Sequence, residues 1–237
     1  MKNHISLFIF AIALLSGPVS ANDLSMTAVK DTLASIPGEH NYIYVRTPLG
    51  EDEEKNYDEI TFYDGLGREL DFAQSYGADR AGAIMAHHHL IEYDSLGRKE
   101  KQWLSTNTSF SYMSPEDLKG GVLWDYHDAG KRSYLQTNYE SSPLNRITEQ
   151  YGVGDAWGDH PARMEYLTNI PADSLRCSFY FIDDNDSLIR RGDYRSGELQ
   201  VTKATDEDGK PTYTFVDKQG RTLLTRLGRG NQQADTY

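Results

Sequence analysis

The sequence predicts a mainly β protein made of stacked, long antiparallel hairpins, with one short helical insertion near residues 114–127. Three observations predict it. A Tyr-Asp-x-x-Gly-Arg segment recurs, cleanly at 63–68 and 93–98, and again at 216–221 with Val216 in the tyrosine's place. Sixteen Tyr, eight Phe and three Trp give a composition suited to aromatic strand cores and cross-strand pairs. Each recurring segment also has the chemistry of a hairpin turn. Its Asp can accept a bond from backbone two residues on, its Gly can take positive φ, and its Arg opens the returning strand. Asp64, Gly67 and Arg68, Asp94, Gly97 and Arg98, and Asp217, Gly220 and Arg221 are therefore read as structural turn residues whose loss costs stability.

From the first residue onward, Lys2 and His4 precede an apolar run from Ile5 to Leu15, then Gly17-Pro18 and the small-residue site Val19-Ser20-Ala21. That pattern is an export signal, residues 1–21, cleaved after Ala21. The run is too short to span a bilayer and no second one follows, so no transmembrane anchor is expected. Residues 22–39 are a lead-in, 40–227 one β domain and 228–237 a polar, frayed tail. Strands are expected at 41–47, 57–63, 69–76, 84–93 and 99–104, with an acidic solvated loop at 50–56. The interval between the first two turns, about 30 residues, is one long hairpin. Ser114 as N-cap, Pro115 and two acids start a helix that Gly120-Gly121 should end or interrupt. Beyond it, Tyr139 to Arg146 is a stretched form of the turn in which Asn145 stands where Gly stood, since Asn tolerates the left-handed region. Strands at 147–151, 163–168, 175–182, 199–204, 212–216 and 222–227 complete the chain, with acidic turns at 183–186 and 206–210.

Charge excludes some partners. A net charge of −12 leaves no clustered Lys and Arg for nucleic acid or an anionic membrane. Cys177 is the single cysteine, so no internal disulfide can form and the fold rests on burial and hydrogen-bonded sheet. His87-His88-His89 is the one cluster that invites a metal. In a strand His87 and His89 share a face, but two ligands make a weak site, and a third from His127, His160 or an acid cannot be placed. The reading is a polar strand face with no metal and no cofactor. Trp157, flanked by Asp155 and Asp159 in a Gly-rich loop, is a candidate ligand-binding platform for a sugar ring; the competing reading is a plug at a sheet end. No Gly-x-Ser-x-Gly, phosphate-binding glycine loop or His-Glu-x-x-His is present, and no catalytic residue is assigned.

The turns resemble the YD repeats of Rhs proteins, and the order of segments is similar to one group in particular. Residues 41–44, 58–68, 92–104, 139–146, 149–152, 197–199 and 206–209 follow the pattern of the N-terminal domain DUF6443 of large secreted Rhs-like proteins of Bacteroidetes, over roughly residues 40 to 227. The resemblance implies an exported, non-enzymatic structural or binding module at the periplasm, cell surface or outside the cell. It also implies a partner in a downstream Rhs shell or an envelope protein. This chain carries no long repeat array or tip domain, so the expectation is a stand-alone or detached N-terminal part. The alternatives are a carbohydrate-binding module with a glycan partner and, with least support, a hydrolase.

Overall fold

A computed structural model describes residues 29–31, 33–48, 56–75, 84–171, 173–229 and 232–237. The expected leader, 1–21, and all but the last residue of the expected acidic loop at 50–56 lie outside these residues. The described chain is mainly antiparallel β, as expected, with helical residues at 29–31 and 33–35 ahead of the first strand and a helix at Pro115–Asp125. It divides into two compact units, Met1–Leu135 and Gln136–Tyr237, where the sequence suggested one continuous domain. The physical reason is two separate apolar clusters, each assembled from its own unit's strands.

In the first unit, strands β1 (Asn41–Pro48), β2 (Asn56–Tyr63), β3 (Glu69–Ser75), β4 (Met85–Tyr93) and β5 (Lys99–Trp103) pair in chain order. β6 (Thr106–Ser109) pairs with the first half of β4, the half that β5 leaves open. Alternation sets the faces. Ile60 and Phe62 on β2, Ala73 on β3, and Ala86 on β4 turn inward and are buried with Val29, Ile36, Ile84 and Phe110. Burying a side chain such as Phe62 contributes about 1.5–3 kcal/mol.

Helix α1 (Pro115–Asp125) starts as expected, with the Ser114 hydroxyl accepting from the Asp117 amide at 3.2 Å. It does not stop at Gly120-Gly121. Leu118 and Val122, one turn apart, are both buried, and that burial outweighs the propensity cost of two glycines. Gly121 also has a packing role, because a Cβ there would stand 2.8 Å from the Thr106 hydroxyl. The helix thus lies close against β6, and Thr106 Oγ1 donates to Asp125 Oδ2 at 2.7 Å.

β7 (Tyr134–Tyr139) carries the boundary between the units. In the second unit, β8 (Ile147–Tyr151), β9 (Ala162–Thr168), β12 (Gln200–Thr205), β13 (Pro211–Val216), β14 (Thr222–Arg229) and β15 (Gln232–Thr236) form successive antiparallel pairs. Between β9 and β12 the chain makes a separate hairpin of β10 (Ser178–Ile182) and β11 (Leu188–Asp193). β11 was not expected, and its sequence Leu-Ile-Arg-Arg-Gly-Asp shows why: nearly all of it is exposed and it lacks apolar alternation. The tail differs from expectation too. Its last residues form β15 because Asp235 is held by Arg226 of β14, whose Nε and Nη2 each donate to the carboxylate at 2.7 Å.

Candidate functional site

The recurring segments fold into one turn design. In the first, the Asp64 amide donates to the Arg68 carbonyl at 2.9 Å and the Gly67 amide to the Asp64 carbonyl at 3.0 Å. Asp64 Oδ1 accepts from the amides of Leu66 and Arg68, while Oδ2 accepts from Arg68 Nε at 2.7 Å. The second and third turns, at Asp94 and Asp217, repeat every one of these bonds. Gly67, Gly97 and Gly220 have φ of 78°, 80° and 80°, a conformation that side chains with a Cβ rarely adopt. The extra residue shifts the strand register just before each turn, at Phe62/Tyr63, Glu92/Tyr93 and Phe215/Val216.

The electrostatics follow from the same bonds. The backbone amide of Arg68, ahead of its side chain, holds the Asp64 carboxyl below its ordinary value, and Arg221 does the same for Asp217. At Asp94 burial opposes the charge, but the Arg98 bonds outweigh it and the carboxyl is again lowered. Turns at 183–187 and 206–210 keep the Asp and its two amide bonds, with Asp186 and Gly209 in the positive-φ place. In the stretched turn Asn145 has φ 54°, as its position requires. There Glu140 replaces Asp and takes both Nε and Nη2 of Arg146 at 2.7 Å, which pulls its carboxyl down to about 2.

The arginine also reaches the neighbouring repeat. The Arg68 guanidinium lies 4.5 Å from the ring centre of Tyr93 and against Gly97, and the Tyr93 hydroxyl donates to the Glu69 carbonyl at 2.7 Å. Arg146 stands over Tyr166 in the same way at 4.7 Å. In the 93–98 segment Tyr93, Asp94, Gly97 and Arg98 therefore each have a structural partner.

The histidine cluster separates. His87 and His89 do share a face of β4, and burial pulls His89 below its ordinary pKa against the charge of Asp71. His88 faces inward and is buried. Its Nδ1 meets Asp71 Oδ2 at 2.7 Å and its Nε2 meets the Ser109 carbonyl at 3.0 Å, so both ring nitrogens are already engaged. Among the described residues no group of three His, Cys, Asp or Glu side chains gathers as a metal site requires. His127 is exposed, near Asp128, and lies in the loop after α1.

Sequence reasoning missed the buried polar residues. Asp58 is fully buried and accepts from Tyr44 Oη at 2.7 Å and from Arg46 Nε and Nη2 at 2.7 and 2.9 Å. Burial, and then the bond to Asp58, raises the Tyr44 phenol. Buried Arg226 adds bonds to the carbonyls of Ser174 and Arg176 at 2.9 and 2.8 Å. Buried Asn169 accepts from the Leu199 amide at 2.8 Å and donates to the Arg195 carbonyl at 2.8 Å. A signal was present: Asp58 is in strand phase with Ile60 and Phe62, and His88 with Ala86 and Leu90.

Trp157 stands in a 3₁₀ turn with Asp155, and its ring lies against Gly152, 3.4 Å from where a Cβ would be. It remains 46% exposed. Cys177 is buried, and burial pushes its thiol up to about 11, away from nucleophilic use. A shallow groove of about 280 Å³ on the first unit is bordered by Phe72, His89, Gln102 and Trp103. Beside it, Glu92 accepts from Trp103 Nε1 and pairs with Lys119. Burial opposes that charge, but the bonds from Lys119 and Trp103 prevail and keep the carboxyl below its usual value.

Fold and turns together define an antiparallel hairpin protein whose recurring residues are spent on its own scaffold. A family model described as a domain of unknown function, DUF6443, matches residues 41–168, more than half of the chain, and the chain belongs to that family. The match ends with β9, short of the span to residue 227 over which the sequence resembles that family. No curated protein and no solved structure matches the chain.

Proposed function

We propose that this protein is an exported, non-enzymatic β-module of Rhs/YD-repeat type that serves as a structural or binding element of an envelope-associated or interbacterial assembly. One observation carries the reading. The Asp and Arg pairs that recur along the chain, the residues a catalytic reading would reach for first, are engaged in turn clamps, and Arg68 also stacks on Tyr93. Purified residues 22–237 should be inert on polysaccharide, peptidoglycan, peptide and nucleic acid, with or without zinc, and should unfold as a cooperative β protein. Metal-dependent turnover abolished by changing His87 and His89 to Ala would make the protein a hydrolase instead. Export is checked by N-terminal sequencing of secreted material, which should begin at Asn22.

A second reading, a carbohydrate-binding module, is favoured by the partly exposed indole of Trp157, flanked in sequence by Asp155 and Asp159. Binding on a glycan array at micromolar concentration, lost with Trp157→Ala, would decide for it. No helix among the described residues is long and apolar enough to cross a membrane.

A further inference from the structure

The two terminal strands of the chain differ in how they meet solvent. Among the described residues β1 pairs with β2 alone and β15 with β14 alone, so each offers one row of backbone donors and acceptors to a new strand. β15 is short and polar, Gln-Gln-Ala-Asp-Thr. β1 is eight residues long and carries no lysine. Its one charge, Arg46, is turned to Asp58, and its proline is the last residue. On its outer face Ile43 and Val45 are 53% and 45% exposed. Apart from that inward-turned arginine and terminal proline, no lysine, bulge or short length blunts the strand.

We propose that β1 is a self-association edge, pairing antiparallel with β1 of a second copy about a two-fold axis at Tyr44. The sequence selects this occupant because β1 is chemically symmetric about that residue. Antiparallel pairing centred there sets Ile43 opposite Val45 of the second copy, two β-branched side chains on one open face. It sets Tyr42 opposite Arg46, an aromatic against a guanidinium, and Asn41 opposite Thr47, two polar ends. A shift by one residue would oppose unlike faces and lose the match. The net charge of −12 on each chain opposes the approach, so the association is weak and reversible.

The purified mature chain, measured by sedimentation at micromolar concentrations, should show a concentration-dependent mass rising to that of two chains. Val45→Lys, and separately Ile43→Lys, should hold it at the mass of one chain with the circular dichroism spectrum unchanged. If a lysine variant does not fold, the register still tests the proposal. A nitroxide attached at Thr47→Cys, with buried Cys177 left unlabelled, should lie about 20 Å from its mate along the strand pair, six residues at 3.3 Å each. A chain that stays monomeric to about 100 μM, a weak limit for any specific contact, would overturn the proposal. So would a dimer unaffected by both lysines or a label separation far from that distance.

Discussion

Arg46–Asp58 and Arg221–Asp217 are the same ion pair in two settings, each closed at 2.7 Å. In the first, the side chains are 16% and 1% exposed; in the second, 71% and 10%. Contact distance is identical, so the difference in worth comes from solvent. The buried pair cannot lose one member without leaving the other charge in a low-dielectric core, whereas water takes over for the exposed one. Both turn and core thus use a guanidinium on a carboxylate. Only in the core is the partnership obligatory.

The comparison breaks most visibly at Asp58. Asp58→Ala strands the Arg46 guanidinium and the Tyr44 hydroxyl together, and chemical denaturation should record a loss of about 3–5 kcal/mol. Gly97→Val comes next, at about 1–3 kcal/mol, because a β-branched residue is strained at positive φ. It should exceed Gly67→Val, since a Cβ at 97 meets Arg68 Nη1 at 3.0 Å and one at 67 meets nothing. Acid gives a smaller and more distributed effect. The turn carboxyls at Asp64, Asp94 and Asp217 and that of Glu140 are lowered on folding. Their contribution is therefore complete above the ordinary carboxylate range, about 4, and is lost as pH falls toward about 2, where Glu140 titrates. Melting temperature should drop across that window and stay flat above it. The smallest change is expected for Arg221→Ala, whose melting temperature should fall only slightly because water takes over from the exposed guanidinium. A shift as large as that of Asp58→Ala would show the two settings to be equivalent.

Legibility in the sequence follows the same division. The turns could be read because every bond in them lies within a few residues: Asp to amides two and four on, Gly at its left-handed place, Asn145 in a stretched copy. The helix start was equally local. What could not be read depends on which strand face meets the core. His87 and His89 do lie together, yet the informative histidine was His88, in phase with Ala86 and Leu90. Its partners Asp71 and Ser109 stand 17 and 21 residues away in the chain. Arg226 is a stronger case, since the carbonyls it holds lie 50 and 52 residues back. The candidate at Trp157 was legible as an exposed indole beside acids, but the contact with Gly152 that supports one face of it was not. Polar residues in phase with a hydrophobic strand face are a pattern worth reading first in chains of this kind.

The contact of Arg68 with Tyr93 and Gly97 also bears on how such a chain can change length. The arginine of one copy and the tyrosine of the next are complementary halves, supplied 30 positions apart in register, Asp64 to Asp94. Duplication or deletion of one whole period re-creates the junction with no new chemistry. A gain or loss of some other number of residues leaves a guanidinium without its ring and, when odd, turns a strand's apolar side to water. That constraint belongs to this junction: the later turns, at Glu140, Asp183, Asp206 and Asp217, do not keep the 30-residue period.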